Sequence, residues 1–361
     1  MRIDVTRSLV PPIEDFIEHL KRSFEQARFT NHGPLVVELE QALIGQLGTP
    51  HGVAVCNGTL ALQLACAALG VEGEVITTPL SFVATTSALT WMGLTPVFAD
   101  VDPETFALDP ATCEARITSR TTAILATHVY GFPCAVDEIE ALARAHGLKV
   151  IYDASHAFGC RWRGRPLAAF GDASTLSFHA TKIFHTAEGG FVCTHDAETA
   201  HRCCVQRDFG FDGLRSFRLP GINAKLSELH AALGLSVLPL VPAAIAERRK
   251  RFDAYLERLA PLGERLRLPR IPDGLEWNYA YLPVVFSDEA SLVRTWLALV
   301  EIDVWARRYF HPALNTLAYT GNEKAPIAED LCPRLLCLPL FDTLAESDVD
   351  RIAETIRRSL G

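Results

Sequence analysis

Two hydrophobic periods alternate along this chain. Near its start, Ile13, Phe16, Ile17, Leu20 and Phe24 recur at helical spacing behind Pro11-Pro12, which predicts an amphipathic helix opened by proline. Thr30-Asn-His-Gly-Pro34 breaks that pattern, and residues 36–47 resume it as a second helix closed by Gly48. From Gly52 the pattern changes to short apolar runs, at 53–56, 74–79, 95–100, 121–130, 148–152 and 191–194, which read as strands. Helical stretches separate them at 60–69, 81–92, 136–146 and 197–208. Strands and helices in alternation predict an α/β fold, a mixed, mostly parallel sheet flanked by helices. Later come a strongly apolar helix at 226–238, a break at Pro239-Leu-Val-Pro242, and a long Glu- and Arg-rich helix at 243–262. A strand-like run at 279–286 and helices at 290–300 and 347–360 complete a small α+β unit. The expected division is a large domain over 1–240 and a small C-terminal one over 241–361.

Composition narrows the function. The 361 residues are 49% hydrophobic and 21% charged, as in a folded protein with a large core. A net charge of -9 gives no basic footprint, so neither nucleic acid nor an anionic membrane is an expected partner. The first residues lack a signal-type apolar region, and no apolar run approaches the roughly 18 residues that span a bilayer, so the expected location is cytoplasmic. Ten cysteines are scattered, only Cys203 and Cys204 are adjacent, and no CxxC pair occurs, which suits buried thiols in a reducing compartment.

Candidate chemistry centres on one amine. Of 34 basic residues only six are lysines, and Lys182 alone stands among hydroxyls, histidines and a Gly pair, in Ser174-Thr-Leu-Ser-Phe-His-Ala-Thr-Lys-Ile-Phe-His-Thr-Ala-Glu-Gly-Gly190. An amine at the end of a strand, beside anion-binding hydroxyls, is what Schiff-base chemistry requires. Asn57-Gly58-Thr59, between a strand and a helix, supports two readings: a phosphate site on free N–H groups, or a simple N-cap. The chain lacks GxGxxG there and a P-loop anywhere, which weakens dinucleotide and Mg-nucleotide readings. Asp153 follows an apolar run at the carboxyl edge of the expected sheet, either as a cap or as a ligand-facing carboxylate. A carboxylate that keeps a pyridinium nitrogen protonated, a lysine at the other end of the ring, and Gly58, Thr59 and Ser177 for a phosphate are the types that pyridoxal phosphate chemistry demands. Phe82, where a loop enters a helix, either lies on a planar ligand or packs in the core. His179 and His185 are spaced wrongly for a metal pair; they touch a substrate or bond within their loop. Glu188 is a further, weaker candidate for orienting Lys182.

The segments NGTLALQLACAALG, SFVATTSAL, DASHAFG, SFHATKIFHTAEGG and PGINAKLSELHAALGL together resemble the DegT/DnrJ/EryC1/StrS sugar aminotransferases, a fold-type I pyridoxal phosphate family, over nearly the whole chain. The resemblance implies that Lys182 binds the cofactor covalently and serves as acid and base, and that Asp153 pairs with the pyridinium nitrogen. It further implies that His156 lies beside the phenolic oxygen, that Gly58, Thr59 and Ser177 hold the phosphate, and that Phe82 stacks on the ring. Asn223 matches an asparagine that reaches the phosphate of a neighbouring subunit, which implies a homodimer with shared active sites. In Arg307-Arg-Tyr-Phe-His-Pro312, Tyr309 and His311 resemble residues near the substrate, and the two arginines either meet a diphosphate or are surface charge. The implied substrates are glutamate and a nucleotide-linked keto-6-deoxy sugar. The nearest likeness is to the branch that makes 4-amino-4,6-dideoxyglucose on dTDP, with 3-amino or GDP-linked sugars as alternatives. Retention of Lys182, where some dehydrating relatives carry histidine, favours transamination over dehydration, and a lyase of the same fold and an idle cofactor-binding regulator stay open as readings from other classes.

Overall fold

The apolar runs assemble into a seven-stranded sheet, in the order His51–Val55, Gly190–Thr194, Ala173–Ser177, Lys149–Asp153, Thr121–Thr127, Glu74–Thr77, Thr95–Phe98. The computed structural model describes residues 2–213, 216–321 and 323–361. Gly190–Thr194 runs antiparallel to both of its neighbours, and every other pairing is parallel. Helices cover both faces, so residues such as Val75, Ile76, Ile124, Leu125 and Ile151 are wholly buried whichever way they point. That is why these strands read as continuous apolar runs rather than as an alternation.

Parallel pairing brings the ends Asp153 and Ser177 to one edge, and there Gly190, the first residue of the antiparallel strand, meets Ser177 on one side and the end Val55 on the other. A Cβ on Gly190 would lie 2.5 Å from the backbone of Asn57, so glycine is what lets this strand approach.

The C-terminal part holds a three-stranded antiparallel sheet, Leu266–Arg267, Pro283–Phe286 and Leu335–Cys337, with the helices Glu289–Glu301 and Glu346–Leu360 packed together beside it. Ile3–Asp4 pairs with Val304–Trp305, and the largest core cluster runs from Leu35 and Phe178 to Phe286 and Ile352. The strand expected at 279–286 is confined to Pro283–Phe286, which leaves 279–282 as a loop.

Two expectations need correction. Pro239 and Pro242 do not break the chain: a single 3-10 turn, Leu238–Leu240, joins Glu228–Val237 to Val241–Leu259. Each proline stands in the first two positions of its helix, where no intrahelical N–H is needed. The joined segment Glu228–Arg265 is therefore long and apolar enough to cross a membrane by length and composition, contrary to the run-length expectation. In this fold Ala231, Ala232, Val237, Val241, Ala244 and Phe252 place it in the main core.

The predicted N-terminal helix forms as Ile13–Glu25, yet its apolar stripe stays open: Ile13 is 57%, Ile17 43% and Phe24 64% exposed.

Candidate active site

At the carboxyl edge of the sheet lies a pocket of about 280 Å³ lined by Gly58, Thr59, Phe82, Asp153, His156, Ser177, His179, Lys182, Glu188, Tyr281, Tyr309 and Phe310, among others. Most of the residues expected to bind a cofactor thus share one cavity.

The anion end is built from a helix start. Asn57 caps Gly58–Ala68, its side-chain oxygen accepting the Leu60 N–H at 2.9 Å. The N-cap reading is therefore observed, and it is compatible with the phosphate reading, because the cap leaves the N–H groups of Gly58 and Thr59 without intrahelical acceptors. A Cβ on Gly58 would lie 2.8 Å from the Cβ of Ser177, so this close approach sets the serine beside the helix start. Two free N–H groups, the positive end of a helix and nearby hydroxyls favour a phosphate.

The acid end lies across the pocket. Asp153 is 5% exposed; Thr85 Oγ1 donates to its Oδ2 at 2.8 Å and the Ser155 N–H to its Oδ1 at 3.1 Å. Thr85 is bonded in turn to Ser81 at 2.8 Å, and Thr127 donates to Ser81 at 3.1 Å, so a chain of hydroxyls fixes the carboxylate. Among the described residues no cation forms an ion pair with Asp153. A buried carboxylate held only by neutral donors suits a cationic ligand atom, and lone pairs remain free to accept one.

Lys182 donates to the Tyr281 hydroxyl at 3.1 Å. Burial pushes its amine down to about 8, against the opposing pull of Asp153 and Tyr309. The Tyr130 N–H donates to His156 Nδ1 at 3.1 Å, which assigns the ring proton to Nε2. Burial, followed by the charge of Lys182, holds His156 well below the usual imidazole range, so it is a neutral donor. Its ring stacks on Phe310 at 5.4 Å, and Phe310 lies 6.3 Å from Phe82, which is 54% exposed at the pocket mouth. Helix start, buried carboxylate and depressed amine fit the phosphate, ring nitrogen and carbonyl carbon that pyridoxal phosphate would present, with Gly58, Thr59 and Ser177, Asp153, and Lys182 as the residues that would meet them.

The remaining candidates divide. His179 lines the pocket, with Nδ1 2.9 Å from Thr181 Oγ1 and Nε2 3.7 Å from Glu188. His185 does not line it. Its Nε2 lies 2.7 Å from the Leu9 carbonyl and its Nδ1 accepts the Ala187 N–H at 3.3 Å, so both nitrogens are taken by backbone groups, one distant and one in the loop, and the substrate role is withdrawn. Tyr309 lines the pocket, whereas His311 is exposed in an adjoining depression with Trp296 and Trp305. Arg308 is turned away, toward Glu289 at 2.7 Å and the Pro333 carbonyl at 2.9 Å. Asn223 is exposed and outside the pocket of its own chain. Sequence reasoning missed Thr85, Tyr281 and Phe310. The one-turn spacing of Ser81 and Thr85 was a usable signal for the first, but nothing local marks the other two.

The model of the DegT/DnrJ/EryC1/StrS aminotransferase family matches residues 12–357. A dTDP-4-amino-4,6-dideoxy-D-glucose transaminase of Shigella dysenteriae is 38% identical over 362 residues, 98% of either chain. A GDP-perosamine synthase of Caulobacter vibrioides is 35% identical over 339 residues, 91% of either chain. The crystal structure of DesI in the presence of its TDP-sugar product superposes with a TM-score of 0.95 at 38% identity, covering 99% of this chain and 93% of that one.

Proposed function

This chain belongs to the DegT/DnrJ/EryC1/StrS aminotransferase family, and from that premise we propose that it aminates dTDP-4-keto-6-deoxyglucose, with glutamate as donor, giving dTDP-4-amino-4,6-dideoxyglucose. It is a pyridoxal-phosphate-dependent nucleotide-sugar aminotransferase. The observation that carries the site assignment is a buried Asp153, without a cationic partner among the described residues, sharing one pocket with the Lys182 amine.

When bound, the cofactor supplies an electron sink for the bond broken at the amino-bearing carbon. Thr85 and Ser155 hold Asp153 as the anion that keeps the ring nitrogen protonated. Gly58, Thr59 and Ser177 would hold the cofactor's phosphate, and His156, with its ring proton on Nε2, would be a donor toward the cofactor. Lys182 moves the proton. With its amine near 8, about a tenth of it is neutral at pH 7, far more than for an ordinary lysine near 10.4.

The 38% identity to the Shigella transaminase supports the dTDP-linked 4-keto sugar, and the 35% identity to the perosamine enzyme supports a GDP-linked sugar as the second reading. A cytoplasmic homodimer completes the proposal. It is supported by the position of Asn223 outside its own pocket and by the open stripe of Ile13, Ile17 and Phe24, which a second copy would cover.

The test is a panel of dTDP-4-keto, dTDP-3-keto and GDP-4-keto 6-deoxy sugars assayed with glutamate. Turnover of the GDP-linked or 3-keto sugar alone would refute the choice of substrate. Glutamate should shift the cofactor absorbance, and Lys182→Ala should abolish that shift and cut turnover by about 10⁴-fold.

A further inference from the structure

Among the described residues, the Tyr281 hydroxyl is the group hydrogen-bonded to the Lys182 amine, which donates to it at 3.1 Å. Tyr281 comes from the other half of the chain, in the loop before Pro283–Phe286. Its ring is boxed by aromatics: His156 at 4.8 Å, Tyr130 at 5.8 Å and Tyr309 at 6.2 Å between ring centroids. Behind it Arg248, 1% exposed, donates to the carbonyls of Ala280 and Leu340, both at 3.4 Å, and ties down the loop that carries the tyrosine. Burial drives the phenol up, so it stays protonated through the working range. A ring held this way presents its oxygen at one place, whereas a free lysine side chain has many rotamers to lose.

We propose that Tyr281 is a positioning residue: its hydroxyl holds the Lys182 amine in one orientation inside the pocket whenever that amine is free. The proposal rests on Lys182 being the group that moves the proton. An oxygen that accepts from Nζ also bonds ammonium more strongly than neutral amine, so Tyr281 opposes part of the effect of burial. The other groups around the amine are Asp153 and Tyr309, which favour its charged form, and neutral His156. His179 and Glu188 line the same pocket, and Arg248 acts on the phenol from behind. Tyr281→Phe keeps all of these and the ring itself.

The measurement is trace acetylation of the full-length protein freed of cofactor, followed peptide by peptide in mass spectrometry from about pH 6 to about 11. Six lysines make each one separable. In Tyr281→Phe the Lys182 midpoint should fall by about half a unit or more while the other lysines stay put. The reloaded variant should lose about tenfold in kcat with little change in KM for the sugar. An unchanged Lys182 midpoint overturns the proposal whatever kcat does, because a ring that only fills space is replaced fully by phenylalanine. Labelling needs no sugar, so a wrong substrate assignment would show in the sugar panel and leave this result standing. Failure of the lysine assignment would show separately, as a glutamate-induced absorbance shift that persists in Lys182→Ala.

Discussion

One wall of the pocket comes from the ends of the large sheet, and the facing wall from loops of the C-terminal part; their chemistry divides the same way. The sheet wall carries Gly58, Asp153, Ser177 and Lys182, each within a few residues of a strand end, and it is polar. The loop wall carries Tyr281, Tyr309 and Phe310, and it is aromatic. Strand ends leave backbone donors and short polar side chains pointing out of a rigid layer, which suits fixed charges. Loops gain rigidity only by packing. Here stacked rings do it, with Phe310 lying 5.9 Å from Tyr130 and 5.2 Å from Tyr309, and the Tyr130 hydroxyl donating to the Tyr309 carbonyl. On the proposed function, the sheet wall would hold the cofactor and carry the proton chemistry, while the loop wall would position what approaches it.

The strongest way to break this contrast is Asp153→Asn. The hydroxyl chain from Thr85 can still hold the amide, so the fold should survive while kcat falls about a hundredfold to a thousandfold, the usual loss of one preorganised electrostatic contact. Steady-state kinetics with saturating cofactor check it, and a loss under tenfold would mean that the sheet wall is not where charge is controlled.

Next in size is an effect of acid on the layer beneath that wall. His128 directly follows the strand Thr121–Thr127, is wholly buried, accepts the Cys134 N–H at 3.1 Å and stacks on Tyr152 at 4.6 Å. Burial pushes it from 6.5 down to about 3, so the folded state keeps it neutral while the unfolded chain takes up a proton below about 6.5. Its contribution is therefore present above that pH and drains away as pH falls, by about 2 kcal/mol at pH 5. Denaturant titrations at pH 7.5 and 5 should show a smaller acid loss in His128→Gln than in the parent protein. Equal losses would move the acid sensitivity elsewhere.

The smallest expected effect sharpens the loop wall. Tyr309→Phe removes a hydroxyl and keeps the stacked ring, so kcat/KM for the sugar should drop about threefold to tenfold. Cofactor affinity, read by equilibrium dialysis, should not change. A matching loss of cofactor would erase the division between the walls.

Much of the sheet wall was legible in the sequence. Apolar runs with polar ends located its strands, and Asn57, Asp153 and Ser177 fell at or just beyond those ends. Local rules of capping and strand burial act over a few residues, so local sequence carries them. His185 shows the limit of that reasoning: beside a lysine in a polar loop it looked functional, yet its Nε2 turns to the Leu9 carbonyl, far away in the chain. Tyr281 shows the converse. Nothing near Asn278-Tyr-Ala-Tyr281 marks a catalytic neighbour, because its partner lies 99 positions away and is reached only when the C-terminal part packs against the sheet edge.

By itself, the sequence determined the alternation of strands and helices, the amine, the carboxylate and the capped helix start, since each depends on residue type and short-range order. Tertiary structure decided which of these meet. It left Asp153 without a cationic partner among the described residues, turned Arg308 and His185 away from the pocket, and brought Tyr281 to Lys182. The physical reason is that hydrogen bonds and burial at the site join groups distant in sequence, and their partners exist only once the core has closed.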